Sequence, residues 1–563
     1  MIPICANRSV VSTSCAAGVC AKYQTSLLLH IYRFLRLTIA MLMLLGCRLN
    51  PATAQSPAET VRTRRHRQFV DRRESVLQDF RFELKQVSDW CRQRDLPAEA
   101  DSLSKLADEL TNTAARNAVS KVLTAPIDPS LPPVQRQWRE KARQIRNDGA
   151  HQLYQLARDA QKSSLYSMAF LLVGDVIRLN PDHANARRIL DYQEFHDPRF
   201  KGTPGYTGEW VSPWEAQQRG GRIPHVLHEK FGWIPRRDVQ RYEAGERPGR
   251  GGWVSERKDA LLRQQIRYGW EIPSEHFEIT TNVGLEAGVQ VSRQLETFHD
   301  WLTENFPGFF ETPRALRERF AQAHSRRTRK KRNKPMEVLY FASRDEYQRA
   351  VNKMVPAGIE TNGLYWQPLR KSYFFRNPSR PGMDTVFHEA THQILDIHTA
   401  HDRRIAARAL GRRNRRSTEE WVLGGQHSFW LLEGLACYLE SFHVNETDGQ
   451  ITVGDPGHVR IVAARHRLLR DNYYVPLEMF CRLGKDAFQN HPERAKLYSQ
   501  ASGVTHFLMH YDNGRYRESL VELLSSIYRP DPKNPTRQLN ISEVTGVSFA
   551  DLDQQYREYM QTL

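Results

Sequence analysis

In the second half of the chain, apolar residues recur at spacings that identify the elements. Phe387, Ala390, Ile394 and Ile397 return at three- and four-residue steps, the stripe of a helix packed on a core, while His388, His392 and Asp396 take another face at i, i+4 and i+8. Pro381-Gly382 ends whatever precedes, and Asp384 or Thr385 can cap, so a helix is predicted from about residue 384. Phe429 to Glu440 reads as a second, largely buried helix in which Glu433 is a carboxylate inside an apolar run. Gly434 and Ala436 there are small enough for another helix to come close. Lys496 to Leu508 is a third helix. Upstream, His276 to Thr281 alternates like a strand and Gly284 to Phe306 has helical amphipathicity. Met336 to Phe341 is a strand, followed by a helix from Arg344 toward Val351, and Ser372 to Arg376 is one more strand.

The first half has a different character. Residues 56 to about 200 are charged and amphipathic with helical spacing, broken by Pro126 to Pro133. Between about 201 and 275 Gly, Pro and Trp dominate, and a phrase recurs: Glu209-Trp210-Val211-Ser212, Gly232-Trp233-Ile234-Pro235, Gly252-Trp253-Val254-Ser255, Gly269-Trp270-Glu271-Ile272. Indoles beside glycines are expected to anchor the short strands and turns of a connector; a small β module binding glycan or peptide is the alternative.

At the start, Arg33 and Arg36 precede the apolar run Leu37 to Gly46, too short to span a bilayer comfortably, and Ala52-Thr53-Ala54 supplies a small-x-small cleavage pattern. Residues 1–54 are therefore expected to be a signal peptide and the protein to be exported, whether periplasmic, in the cell envelope or secreted. Lipidation at Leu44-Leu45-Gly46-Cys47 or an uncleaved anchor are the rival readings, and a membrane enters only through them.

Composition refines this picture. The 563 residues suffice for several domains, and a formal charge of +17, five units of it from Arg8, Lys22, Arg33, Arg36 and Arg48 in the leader, suggests anionic surroundings. Two basic runs, Arg326 to Lys334 and Arg403 to Arg416, lack the interleaved aromatics of single-strand binders. They are expected to be solvated loop insertions, and nucleic acid is not expected as a partner. Of seven cysteines, Cys5, Cys15, Cys20 and Cys47 lie in the leader. The remaining Cys91, Cys437 and Cys481 form neither a disulfide framework nor a Cys-type zinc pattern.

The candidate chemistry lies in His388-Glu389-Ala390-Thr391-His392. Histidines four apart on a helix can reach one ion from the same side, and Glu389 is placed to take a proton from water on that ion. Followed by the apolar Trp430-Leu431-Leu432-Glu433-Gly434-Leu435-Ala436, this pattern resembles the gluzincin, or peptidase-MA-like, zinc metallopeptidases. The resemblance implies His388, His392 and Glu433 as Zn2+ ligands and Glu389 as general base. Tyr498 in Tyr498-Ser499-Gln500 resembles the tyrosine that contributes to the oxyanion site of the aminopeptidase-like branch, with His506 as the second candidate for that role. Residues 151–192, including Leu179-Asn180-Pro181, resemble a single tetratricopeptide-type helix pair, which implies a protein-binding groove as an alternative to a plain helical bundle.

This chain departs from the gluzincin pattern in three places. Forty residues separate His392 from Glu433, Cys437 stands where an acid would follow Glu433 by four, and no G-x-M-E-N segment precedes the first helix. Asp396 and Glu440 are the substitutes for orienting a ligand. Ser372 to Arg376 is either an edge strand able to pair with extended substrate or an ordinary inner strand.

The chain is thus expected to be α+β, with a zincin-like metallopeptidase domain, mostly helical with a small sheet, over 276–563. An α-helical domain over 55–200 and a connector over 201–275 precede it. The expected activity is zinc-dependent hydrolysis of a peptide or protein substrate, with a protein partner admitted at the helical domain. An envelope scaffold or binding protein with a structural or inactive zinc site is the alternative.

Overall fold

The computed structural model describes residues 61–109, 127–203, 206, 208–324, 334–355, 361–377, 382–413, 422–445, 447, 449–531, 533–534 and 537–563. The leader, the cleavage site and all but the last residue of the 326–334 basic run lie outside them. Residues 60–563 form one unit, rich in helix with small sheets, an α+β architecture. Among the described residues no helix is long and apolar enough to cross a membrane.

The N-terminal helices follow from their apolar spacing. Leu77, Phe80, Leu84, Val87 and Cys91 on helix α1 (Val61–Arg92) step by three and four residues and are buried. They pack against α2 (Pro133–Lys162), which continues through a three-residue turn into α3 (Tyr166–Leu179). At the turn Ser164 has φ 60°. Asp175, buried in α3, is paired with both Arg73 and Arg178, so the carboxylate is compensated inside the bundle. The same core takes in Leu316, Phe320 and Ala323 from far downstream.

Among the described residues the Trp-rich connector forms two short hairpins, pairing 225–228 with 232–235 and 246–249 with 252–255, and its strand 209–211 pairs with 193–195 just upstream. The indoles of Trp210, Trp233 and Trp253 are half-buried. Arg188 lies over Trp210 at 5.5 Å, Trp214 meets Trp233 edge-on at 5.2 Å, and Arg241 covers Trp253 at 4.8 Å. These contacts join the indoles to neighbouring elements.

A five-stranded sheet positions the candidate site. Its strands are β1 (Trp270–Pro273), β2 (Phe277–Thr281), β3 (Met336–Phe341), β4 (Gly363–Trp366) and β5 (Lys371–Phe375), in the order β4-β5-β3-β2-β1. The inner pairs β5/β3 and β3/β2 are parallel, and both edges are antiparallel. Ser372 to Phe375 is therefore an inner strand, and the edge beside the helices is Gly363–Trp366. The inner position explains why Ser372, Tyr373 and Phe374 are all buried.

Helix α4 (Leu285–Asn305) packs on the sheet. Five further helices matter below: α5 (Asp384–Arg413), α6 (Phe429–Leu439), α7 (Val459–Leu469), α8 (Arg494–Gly514) and α9 (Arg517–Tyr528). The run from Arg403 to Arg413 is the continuation of α5, not a solvated loop, and Arg403 is only 8% exposed because it pairs with the buried Asp396. Residues 414–416 of that run lie outside the described part. Cys91, Cys437 and Cys481 are buried free thiols.

Candidate metal centre

The first turns of α5 carry His388 and His392 with ring centroids 5.1 Å apart and planes at 72°. Every residue of α6 is buried, which places its one carboxylate, Glu433, in the interior. Gly434 sets how close α6 comes to α8: a Cβ there would stand 2.6 Å from the Ala501 carbonyl oxygen and 2.7 Å from Thr505 Oγ1. The result brings Glu433 Oε2 to 3.6 Å from His388 Nε2 and 3.9 Å from His392 Nε2.

These atoms fit a divalent cation. With zinc–ligand bonds of about 2.0–2.2 Å, neighbouring atoms around a tetrahedral ion stand about 3.3–3.6 Å apart, so small side-chain shifts close the set. Two imidazoles and one carboxylate are also a donor set that zinc accepts.

Behind the candidate ligands stands a carboxylate. Glu440 Oε1 lies 2.9 Å from His388 Nδ1, and Arg460 of α7 clamps Glu440 with bonds of 2.7 and 2.8 Å. This fixes the ring with Nε2 turned toward Glu433. Burial raises the Glu440 carboxyl, but hydrogen bonds from His388 and Arg460 outweigh it and bring the pKa to about 2. For His388, burial favours the neutral ring, yet contacts with Cys437, Glu433 and Glu440 hold the pKa well above its ordinary value. Glu433 is likewise penalised by burial and still held below its usual range by His388, His392 and a hydrogen bond from the Tyr498 hydroxyl. His392, unlike His388, is held below its ordinary value, chiefly by burial. Burial, then the Glu433 charge, pushes the Tyr498 phenol upward, so it remains a donor.

Glu389 sits beside the ligands and accepts the backbone N–H of Tyr365, on edge strand β4, at 2.7 Å. Among the described residues Asp396 hydrogen-bonds to no imidazole; it accepts from Tyr365 Oη and Gln367 Nε2, each at 2.7 Å, and pairs with Arg403. Gln393, one turn after Glu389, accepts from Ser372 Oγ at 2.9 Å and donates to the carbonyls of Glu337 and Arg370.

The five residues singled out in the sequence, His388, Glu389, His392, Glu433 and Tyr498, are thus brought together. His506 is not among them. It lies in the core with Nε2 3.0 Å from the Gly454 carbonyl oxygen and Nδ1 2.8 Å from Tyr559 Oη, so both nitrogens are engaged away from the ligands. Sequence reasoning missed Tyr365, Gln367 and Arg460, whose roles arise from tertiary proximity and leave no local pattern. Gln393 had a signal, its four-residue step from Glu389.

Another trio, His276, His299 and Asp300, also brings potential ligand atoms within 4.8 Å. Its imidazoles, however, stack face to face at 3.7 Å with planes 22° apart, so their in-plane lone pairs run side by side and do not converge. His276 Nδ1 is 2.7 Å from Glu296, and His299 Nε2 faces His398 at 3.4 Å. No protein-family model matches the chain, and no curated protein sequence matches it.

Proposed function

We propose that the protein is an exported zinc metallopeptidase of gluzincin type. The observation that carries this reading is the convergence of Glu433 on His388 and His392 with Glu440 behind one imidazole and Glu389 beside both. Zinc in such a site supplies Lewis acidity and lowers the pKa of water toward 7. His388, His392 and Glu433 would hold it, and Glu440 with Arg460 would keep His388 in its ligating tautomer.

The remaining chemistry belongs to the chain's own groups. A Glu389 carboxylate oxygen accepts the proton of the attacking water and returns it to the departing amine nitrogen. Tyr498 Oη, kept protonated by burial, donates to the substrate carbonyl oxygen as negative charge develops there. Edge strand β4 offers backbone groups to an extended peptide. The leader pattern in residues 1–54 supports export, and a protein partner at the helical region is part of the same proposal.

A peptide-library digest tests it. Wild-type protein with zinc should cleave, and Glu389→Gln should retain the metal and lose cleavage. Zinc bound without cleavage by the wild type would favour the scaffold reading instead.

A further inference from the structure

Edge strand β4 runs alongside helix α5 and touches it at three points on one face. Gly363 lies against Thr385, where a Cβ would come within 2.7 Å of the threonine methyl. The Tyr365 amide meets Glu389, and the side chains of Tyr365 and Gln367 meet Asp396. Residues 385, 389 and 396 share one helix face, and from 385 to 389 the steps match: four helical residues rise about 6 Å and two strand residues about 6.8 Å. The strand is therefore in register with the helix at the candidate base.

The direction of one N–H gives this register a consequence. Tyr365 pairs with Ser372 on β5, but its amide donates to Glu389 Oε2, so that N–H points out of the sheet's free edge. An unsupported glutamate on a helix surface samples several rotamers. A hydrogen bond to its ionised form outweighs that rotamer entropy and selects one of them. The donor is itself fixed: the Tyr365 hydroxyl is bound to Asp396, which is 3% exposed and ion-paired with Arg403, and Arg403 also bonds Thr399 Oγ1 at 2.6 Å.

We propose that Tyr365, Asp396 and Arg403 are positioning residues for the base. The chain Arg403–Asp396–Tyr365 holds β4 so that the Tyr365 amide fixes Glu389 Oε2 and leaves Oε1 for proton transfer. This rests on the reading of Glu389 as general base. It assigns the edge strand a second task besides pairing with substrate, and it accounts for the buried Asp396–Arg403 charge pair one turn beyond His392.

The test combines hydrogen exchange with kinetics on the full chain. Exchange at the residue-365 amide, read by fragmentation mass spectrometry, should be at least tenfold slower in the wild type than in Glu389→Ala. Tyr365→Phe, which removes a single oxygen, should keep stoichiometric zinc and a KM within about twofold while kcat falls at least tenfold. Asp396→Asn should do the same and also speed exchange at residue 365. Equal exchange in wild type and Glu389→Ala would overturn the proposal. So would a wild type that cleaves peptide beside a Tyr365→Phe variant with unchanged kcat, or a loss confined to KM. Amide protection in a wild type that cleaves nothing removes the peptidase reading, and with it any role for the contact beyond a tether.

Discussion

Glu440 reaches back along α6 to place its Oε1 2.9 Å from His388 Nδ1, across from the ring nitrogen that faces Glu433. Cys437, three residues earlier, also contacts His388, and the Glu440 carboxylate, secured by Arg460, is the acidic partner of the ring. The candidate ligand Glu433 in the middle of this short buried helix and the carboxylate at its C-terminal cap thus meet the same imidazole from two sides.

Removing that support should weaken the metal before it disturbs the fold. Glu440→Ala is expected to lower zinc affinity about 10- to 100-fold, with Glu440→Gln less severe because an amide oxygen still accepts from His388. Zinc titration against a competing chelator measures both, with circular dichroism reporting the fold.

Tyr498→Phe removes the proposed donor to the developing oxyanion. Cleavage should fall about 100- to 1,000-fold in kcat with zinc content unchanged, the cost usual for such a donor. Steady-state kinetics beside metal analysis separates this from a loss of metal.

Gly434→Ala should be destabilising although alanine is the better helix former. Its Cβ would collide with the Ala501 backbone and Thr505 Oγ1, forcing α6 and α8 apart at a cost of about 1–3 kcal/mol. Chemical denaturation checks this, and metal affinity should fall with it, since the same approach sets the position of Glu433.

A pH dependence should arise where the N-terminal helices meet the C-terminal ones. Glu518 on α9 accepts the backbone N–H groups of Ser167 and Met168 at 2.5 and 3.3 Å, and burial pushes its pKa up from 4.5 to about 7. The folded protein therefore holds a proton that the unfolded chain releases, so this group's stabilisation is complete below about pH 4.5 and is lost as pH rises through about 7. Glu518→Gln should abolish that part of the slope, compared with the wild type in thermal melts between pH 4.5 and 8.

Much of this was legible in the sequence because it is local. The four-residue step of the histidines and an acid stranded in an apolar helix gave four site residues, and the helices at 285–305, 344–351, 429–439 and 494–514 followed their apolar spacing. Longer-range features escaped. Ser372 to Phe375 is buried on both faces because it lies inside the sheet, and the short edge strand at Gly363–Trp366 has no alternating pattern. Arg403 looked like one of many surface arginines until Asp396, seven residues earlier on the same helix, turned out to be its buried partner. Arg460 and Tyr365 act through residues 20 and 24 positions away, distances at which sequence carries no period.

Zinc titration of the purified chain tests the central claim most directly, with wild type compared against Glu433→Ala, the variant that removes only the ligand from the second helix. Tight binding of one zinc per chain, with affinity lower by at least two orders of magnitude in the variant, is the result expected. Absence of stoichiometric binding, or equal affinity in the two proteins, would contradict it.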